Sequence, residues 1–551
     1  MNRSQRAPAL PPSGSSRRLL TKKRLVLLFI TIVILSSLLP HSMSDLFKQL
    51  KHDLPASIVV FFVAVPLCLG IALASGAPLF AGLIAGMVGG IVVGSASGSS
   101  LGVSGPAAGL AVIVLSAIGT LGGSWEAFLL AVVLAGMLQV AMGFIGLGGI
   151  AYYFPSSVIK GMLTGIGLLI IIKQIPQALG SVPAPGDALI ESGGSTFLHL
   201  LQQVTPAAVL VTTVSLALLV SWDVWLAPRF KLFRMVPGPL AAVATGIVLS
   251  RLMAADALPW SLSEHQLVEI PLAGSITGFL AQFSTPDLSA LANRDVYVIA
   301  VVLAIIASIE TLLCVEATDR LDPQKRITPT NRELKAQGLG NIVSGLIGGM
   351  PVTQVIVRSS ANITFGGRTK LSTILHGLFI LLCVAAIPQV LNMIPLATLA
   401  AILFLVGYKL AKPALFAQMY RHGWEQFAPF MATVVGILAT DLLRGIGIGM
   451  AVGVAIVLHH NLRNPFTLAQ HAPETEDYRI KLAEEVSFLN KGRILEQLAL
   501  VPAHSRVVID ATQSKVVDFD VREILREFRT NAPSRGIAVE FHGSILDPST
   551  P

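Results

Sequence analysis

Glu310 stands inside an apolar run, residues 296–315, and Arg358 inside a second apolar stretch, PVTQVIVRSSANI. An ionised side chain at membrane depth costs at least ~2.5–3.5 kcal/mol, so it is retained where it meets a partner, water or a charged solute. The run around Glu310 is long enough to cross a bilayer. The stretch around Arg358, bounded by Pro351 and Gly366, falls short of the ~20 apolar residues a span requires. An acid on a full span and a base on a short one is the residue pattern of a broken-helix membrane protein with a charged solute at its centre.

The elements that must hold these residues are legible from composition. Apolar residues make up 53% of the chain and charged residues 13%, against ~25% charged in a soluble domain. Mean hydropathy is +0.73. The apolar segments read as 55–75, 79–97, 106–121, 125–146, 155–176, 205–226, 236–253, 296–316, 336–349, 352–364, 371–390, 392–411, 427–441 and 443–460. The basic residues fall into alternate connections: Arg229, Lys231 and Arg234; then Arg320, Lys325 and Arg326; then Arg368 and Lys370; then Lys409, Lys412 and Arg421. The connections between them carry acids, Asp187 and Glu191 in one and Glu264, Glu269 and Asp287 in another. By the positive-inside rule both termini are expected in the cytoplasm. The same distribution accounts for the net charge of +8 without a nucleic-acid partner.

A faint internal repeat recurs at a spacing of about 240–245 residues, GGIVVGSASGSSLGVSGPAAGLAVIV against SGLIGGMPVTQVIVRSS. Seven segments separate the copies. An odd number inverts the second copy, the architecture of many secondary transporters. Residues 1–42 begin with a basic stretch and ~15 apolar residues, a signal-like pattern. We read them as an extension ahead of a membrane domain spanning 43–460, with a true anchor as the alternative. Past that domain the hydropathy collapses. Residues 476–551 read as a small cytoplasmic α/β module, with strands at 505–511 and 536–543 around an amphipathic helix at 520–528.

At VAVPLCLGIALASGAP, SGPAAGLAVIV, SIETLLCVEATDRLDP, GGMPVTQVIVRSSANITFGGRTKLSTILHG and VVIDATQSKVVDFD, residues 43–550 resemble the SulP family of anion transporters with a C-terminal STAS-like domain. The resemblance implies an α-helical polytopic fold of fourteen segments, two inverted seven-helix repeats divided into core and gate domains. It also implies a homodimer in a bacterial inner membrane. The anion would lie where the third and tenth helices meet head-on, and movement of core against gate would give alternating access.

The residues fit that expectation. Pro106 and Pro351 suit the first helical position, where the missing N–H costs nothing. Behind them, Ala107, Ala108 and Gly109 in one repeat and Gln354, Val355 and Ile356 in the other would present open backbone N–H groups. Two helix N-termini supply about half a positive charge each. Arg358 matches a family arginine whose charge adds to that field; the alternative is an ion pair with Glu310 or a side chain snorkelling to the cytoplasmic face. Glu310 matches the family's acidic position on the eighth helix, where a carboxylate serves the coupling cation.

Cys314 stands where a sodium-coupled bicarbonate carrier of the family has a hydroxyl residue. A thiol is a poor ligand for a hard cation, which favours a proton over sodium. Leu67 replaces a polar residue common in the first helix of relatives, so the identity of the anion stays open. The segment VVDFD lacks the serine phosphorylated in related soluble regulators. No Gly-x-x-x-x-Gly-Lys-Ser/Thr loop occurs, which excludes an ATP-driven pump of that type. No enzyme, metal or cofactor constellation is expected, and Cys68, Cys314 and Cys383 have no ligand spacing. Gln139 and His376 read as interhelical hydrogen-bond partners. Two rival functions remain: a nucleobase permease of the same fold, and a membrane-anchored signalling protein with the STAS-like domain as output.

Overall fold

The computed structural model describes residues 43–149, 155–181, 204–230, 233, 236–271, 278–279, 282–440, 442–463, 466–472, 477–486 and 490–543. The proposed extension, 1–42, and most of the acidic connection at 182–203 lie outside the described residues. Fourteen helices follow the fourteen apolar segments: α1 (Met43–Ala74), α2 (Leu79–Val88), α3 (Ala108–Thr120), α4 (Trp125–Ile145), α5 (Ser156–Leu179), α6 (Pro206–Ser221), α7 (Gly238–Ala254), α8 (Arg294–Leu321), α9 (Thr330–Ile347), α10 (Ile356–Thr364), α11 (Lys370–Ala386), α12 (Leu396–Leu410), α13 (Trp424–Ala439) and α14 (Leu442–Arg463). Seven helices among the described residues are long and apolar enough to cross a membrane. Gly89–Val93 extends α2 by a π-helical turn into Gly94–Ala96.

Small residues let these helices approach, as they must where lipid offers no hydrophobic drive for helix association. Helix α9 packs most extensively on α4. A Cβ on Gly136 would stand 2.6 Å from the Gly338 carbonyl oxygen, and a Cβ on Gly338 2.6 Å from the Gly136 carbonyl oxygen. The α5–α12 contact uses the same device, Gly167 against Gly407. Helix α9 starts at Thr330, ahead of its apolar stretch. Its charged first turns are tied down: buried Glu333 accepts from the Ser97 hydroxyl at 2.5 Å and the Gly98 N–H at 3.1 Å. Asp53, wholly buried, accepts from the Arg368 and Thr369 N–H groups at 2.6 and 3.2 Å, which caps the start of α11.

Two short strands matter most to function. β1 (Ser104–Gly105) pairs antiparallel with β2 (Thr353–Gln354), Ser104 opposite Gln354 and Gly105 opposite Thr353. Each leads directly into a helix, α3 and α10. Because the strands are antiparallel, the helices leave the pair in opposite senses and their N-termini meet at it, as an inverted repeat requires. The matched helix starts, Ala108 and Ile356, are 248 residues apart (356 − 108). Pro106 stands two residues before α3 and Pro351 five before α10. This corrects the reading of both prolines: neither occupies the first helical position, Pro106 preceding the cap residue Ala107 and Pro351 preceding β2.

The chain divides into two compact units, one running to Gln418 with Thr433–Ile446, the other comprising Met419–Ala432 and Gly447 onward. In the second, β3 (Phe466–Ala472) pairs antiparallel with β4 (Asp477–Leu482). β4 pairs parallel with β5 (Arg506–Asp510), and β5 parallel with β6 (Ala538–His542). The parallel pairs need helical crossovers, supplied by α15 (Lys491–Ala499) and α16 (Phe519–Asn531). Val521, Ile524, Leu525 and Phe528 form the apolar stripe of α16 and cover Val507 and Ile509. This small α/β region is the STAS-like part of the fold.

The helix contacts carry a direct prediction. Gly338→Val places side-chain atoms into the α4 backbone and should lower the thermal stability of the detergent-solubilised protein, with a cost of about 1–3 kcal/mol for overpacking. Gly119→Val, where an added Cβ meets nothing within 4 Å, should leave the melting temperature close to that of the wild type. Equal melting of the two variants would contradict the proposed packing.

Candidate functional site

The meeting point of α3 and α10 is assembled by buried polar side chains from the helices around it. A backbone that leaves helical geometry at membrane depth must have its N–H and C=O groups satisfied by protein. Asn341 on α9 brackets Val352, accepting from its N–H at 2.6 Å and donating to its carbonyl at 3.1 Å. The same amide donates to Gln139 on α4 at 2.6 Å, and Gln139 donates to Ser308 on α8 at 3.2 Å. Gln337 donates to Ser104 at 2.7 Å, Ser359 accepts from the Val103 N–H at 3.0 Å, and Val355 N–H reaches the Val103 carbonyl at 2.9 Å. The crossing is therefore held by α4, α8 and α9, and Gln139 is an interhelical partner as its place in an apolar segment implied.

Neither half-helix is capped by a side chain. The residue before α3 is Ala107 and the residue before α10 is Val355, both extended, and neither makes a side-chain cap hydrogen bond. An uncapped helix start leaves its first N–H groups open to another acceptor. Ala108, Val355 and Ile356 are partly exposed, whereas Ala107 is buried. Gln354 is wholly buried, and its side chain turns away to donate to Thr318 on α8 at 3.0 Å. Of the six backbone positions singled out from sequence, the structure thus gathers all six around one crossing. Ala107, Gly109 and Gln354 are buried, while Ala108, Val355 and Ile356 stand at the accessible side; the Val355 N–H, expected to be open, is instead taken by the Val103 carbonyl.

Arg358 lies in the first turn of α10. It is wholly buried. Its Nη2 donates to Cys68 Sγ on α1 at 3.4 Å, while Nε and Nη1 have no partner. A Cβ on Gly105 would fall 2.1 Å from Nη1, so only glycine fits between the guanidinium and the chain entering α3. Its buried charge rules out the snorkelling alternative.

Glu310 is partly exposed. Its carboxylate faces the other half-helix: an added Cβ at Gly109 would stand 2.5 Å from Oε1. Its Oε2 has no partner, and the described ion pairs do not join it to Arg358. Cys314 lies one turn along α8 from Glu310. His376 Nδ1 bonds the Thr373 carbonyl of its own helix at 2.9 Å and its Nε2 has no partner, so it is not the interhelical bridge expected from sequence.

Thr311, Thr318 and Cys68 were not singled out as site residues. Thr311 accepts from the Gln354 N–H at 3.4 Å and Thr318 from its side chain. With Cys314, the two threonines form a polar stripe at helical spacing on an otherwise apolar span, and that stripe was the available signal. A separate cavity of about 410 Å³ opens at the C-terminal end of α8, lined by Glu316, Asp319, Arg320, Lys325, Arg326 and Thr328 among others. Its polar groups are partnered: Arg320 with Glu316, Arg326 with Asp322, Lys325 with the Arg320 carbonyl and Asp319 with Thr328.

The arrangement is one a small anion could enter: two uncapped helix starts, a buried cation behind them and an acid beside them. Residues 50–433 match the sulfate permease family. Over 443 residues the chain is 26% identical to the putative sulfate transporter YvdB of Bacillus subtilis, covering 79% of this chain and 80% of that protein. Over 453 residues it is 26% identical to the bicarbonate transporter BicA of Synechocystis, covering 81% of this chain and 76% of that protein. The fold is that of the murine anion transporter Slc26a9, solved in an inward-facing state: TM-score 0.72 at 16% identity, covering 92% of this chain and 87% of that one. With a family match across most of the membrane unit and a shared fold, this chain belongs to the sulfate permease family of membrane anion transporters.

Proposed function

We propose that this protein carries a small inorganic anion, sulfate or bicarbonate, across a membrane by secondary active transport with alternating access. The observation that carries the reading is the convergence of two uncapped helix N-termini on one strand pair, beside a buried arginine with two unpartnered nitrogens. The Ala108, Gly109 and Ile356 N–H groups are the donors, set by Ala107, Gln354 and Val355, and Arg358 supplies the field behind them. The likeness to sulfate and bicarbonate carriers supports this solute class. We place the protein in a bacterial inner membrane with both termini cytoplasmic, as a homodimer with contacts in residues 476–551. No catalytic step is assigned.

Glu310 ties the anion to a cation, and we favour a proton. A carboxylate beside an anion repels it; once protonated, it no longer does. By linkage each ligand then raises the affinity for the other by the same factor, usually worth 1–3 kcal/mol. Sodium would need hard oxygen ligands, and the neighbour of Glu310 one turn along is the thiol of Cys314. The tests are fluxes in reconstituted liposomes. Ala108→Trp fills the accessible side of the crossing and should abolish uptake of labelled sulfate and bicarbonate while leaving thermal stability near that of the wild type. Normal uptake by this variant would contradict the site.

Coupling has its own test. Wild-type uptake should rise with an inward proton gradient, and Glu310→Gln should lose that response. Accumulation that follows sodium alone would overturn the proton assignment, and an unchanged gradient response in Glu310→Gln would remove the residue from the mechanism.

A further inference from the structure

Residues 97–103, between the extension of α2 and β1, carry no helix. Irregular backbone inside a membrane domain is tolerated only where protein takes its polar groups. Here one carboxylate serves both ends of the segment. At the near end, Glu333 Oε2 accepts from the Ser97 hydroxyl at 2.5 Å and from the Gly98 N–H at 3.1 Å. Ser97 in turn accepts from the Ser99 N–H at 2.9 Å, and Ser99 from the Gly102 N–H at 3.0 Å. At the far end, Glu333 Oε1 accepts from Gln337 Nε2 at 2.9 Å, and that same nitrogen donates to the Ser104 hydroxyl in β1 at 2.7 Å. Glu333, Gln337, Ser97 and Ser104 are all buried.

The polarity of this chain of bonds is set by the acid. Gln337 follows Glu333 by four residues on α9, the spacing that puts two side chains on one helix face. A carboxylate only accepts, so Gln337 must turn its amide nitrogen toward it. The amide oxygen of Gln337 is left buried without a partner. That state is costly, and turning the amide over would replace it with oxygens face to face. Among the described residues no ion pair takes up Glu333. The neighbouring cations are spent on backbone instead, Lys370 on the Ser97 carbonyl and Arg332 on the Ala96 carbonyl at 3.2 Å.

We propose that Glu333 is a positioning residue of the anion site. With Gln337 as its arm it clamps both ends of the segment that enters β1, and so fixes where β1 delivers the chain into α3. This inference rests on reading the crossing as the anion site and adds what holds one half of it in place. A side chain that merely filled space would be indifferent to which of the two residues carries the charge. A clamp of defined polarity is not. Exchanging Glu333 and Gln337 keeps every link: the amide at position 333 accepts from Ser97 and Gly98 and donates to the carboxylate at position 337, which accepts from the Ser104 hydroxyl.

The experiment is uptake of labelled sulfate by the full-length protein in liposomes, read as KM and as maximal rate per folded transporter, beside the melting temperature. Glu333→Gln should raise KM by about tenfold, the equivalent of one hydrogen bond to a charged group, with the maximal rate less affected. Gln337→Glu sets two carboxylates together and should raise KM at least as much. The double variant Glu333→Gln, Gln337→Glu should return KM most of the way to the wild-type value. A role in packing alone would lower the melting temperature of the single variants, leave their KM unchanged and give no recovery in the double variant. Wild-type KM in Glu333→Gln therefore overturns the proposal, and so does a double variant that recovers neither KM nor stability. Absence of sulfate and bicarbonate uptake by the wild type itself would overturn the anion site, and this inference with it.

Discussion

An open helix N-terminus inside a membrane is expensive, because no water is there to take its first N–H groups. This chain builds two of them at one place, and much of the membrane unit serves to make that arrangement tolerable. The strand pair Ser104–Gly105 and Thr353–Gln354 satisfies the backbone leading in. Asn341, Gln337, Ser359 and Thr311 satisfy what the pair leaves over. Each of these side chains is buried. What stays open after this accounting is the first turn of α3 and of α10.

Charge around the crossing follows from the same geometry. Arg358 sits in the first turn of α10, where a cation is disfavoured by the helix dipole. It is buried, and its one recorded partner is a thiol. A cation is retained in such a place when a mobile anion compensates it, and the solute class of the family fits that role. Glu310 is placed against the start of α3, and the described ion pairs do not join it to Arg358. Two glycines permit this. Gly105 gives room to the guanidinium and Gly109 gives room to the carboxylate, and a methyl group at either would collide.

The helices were readable from sequence because run length and hydropathy decide them in a bilayer. Each of the fourteen apolar segments falls on a helix, and two strands and one amphipathic helix of the C-terminal region lie where they were expected, whereas strands β3 and β4 and helix α15 were not read, β3 lying ahead of residue 476. The importance of Glu310 and Arg358 was also visible, since both break an apolar pattern. Contacts between residues far apart in sequence were less legible. Nothing local says that Gln354 turns its amide to Thr318, or that Glu310 prefers Gly109 to Arg358. The repeat was detected but misregistered by a few residues, because the prolines that mark it most strongly are not equivalent: strand pairing, invisible in either segment alone, matches Ala108 with Ile356.

The central claim is that an anion binds between the starts of α3 and α10. The most direct measurement is a crystal structure of the protein with selenate, a heavier analogue of sulfate, located by its anomalous scattering. The account predicts a single strong peak within hydrogen-bonding distance of the Ala108 or Gly109 N–H and of the Ile356 N–H. A well-occupied selenate elsewhere in the membrane unit, with the helix starts empty, would contradict it.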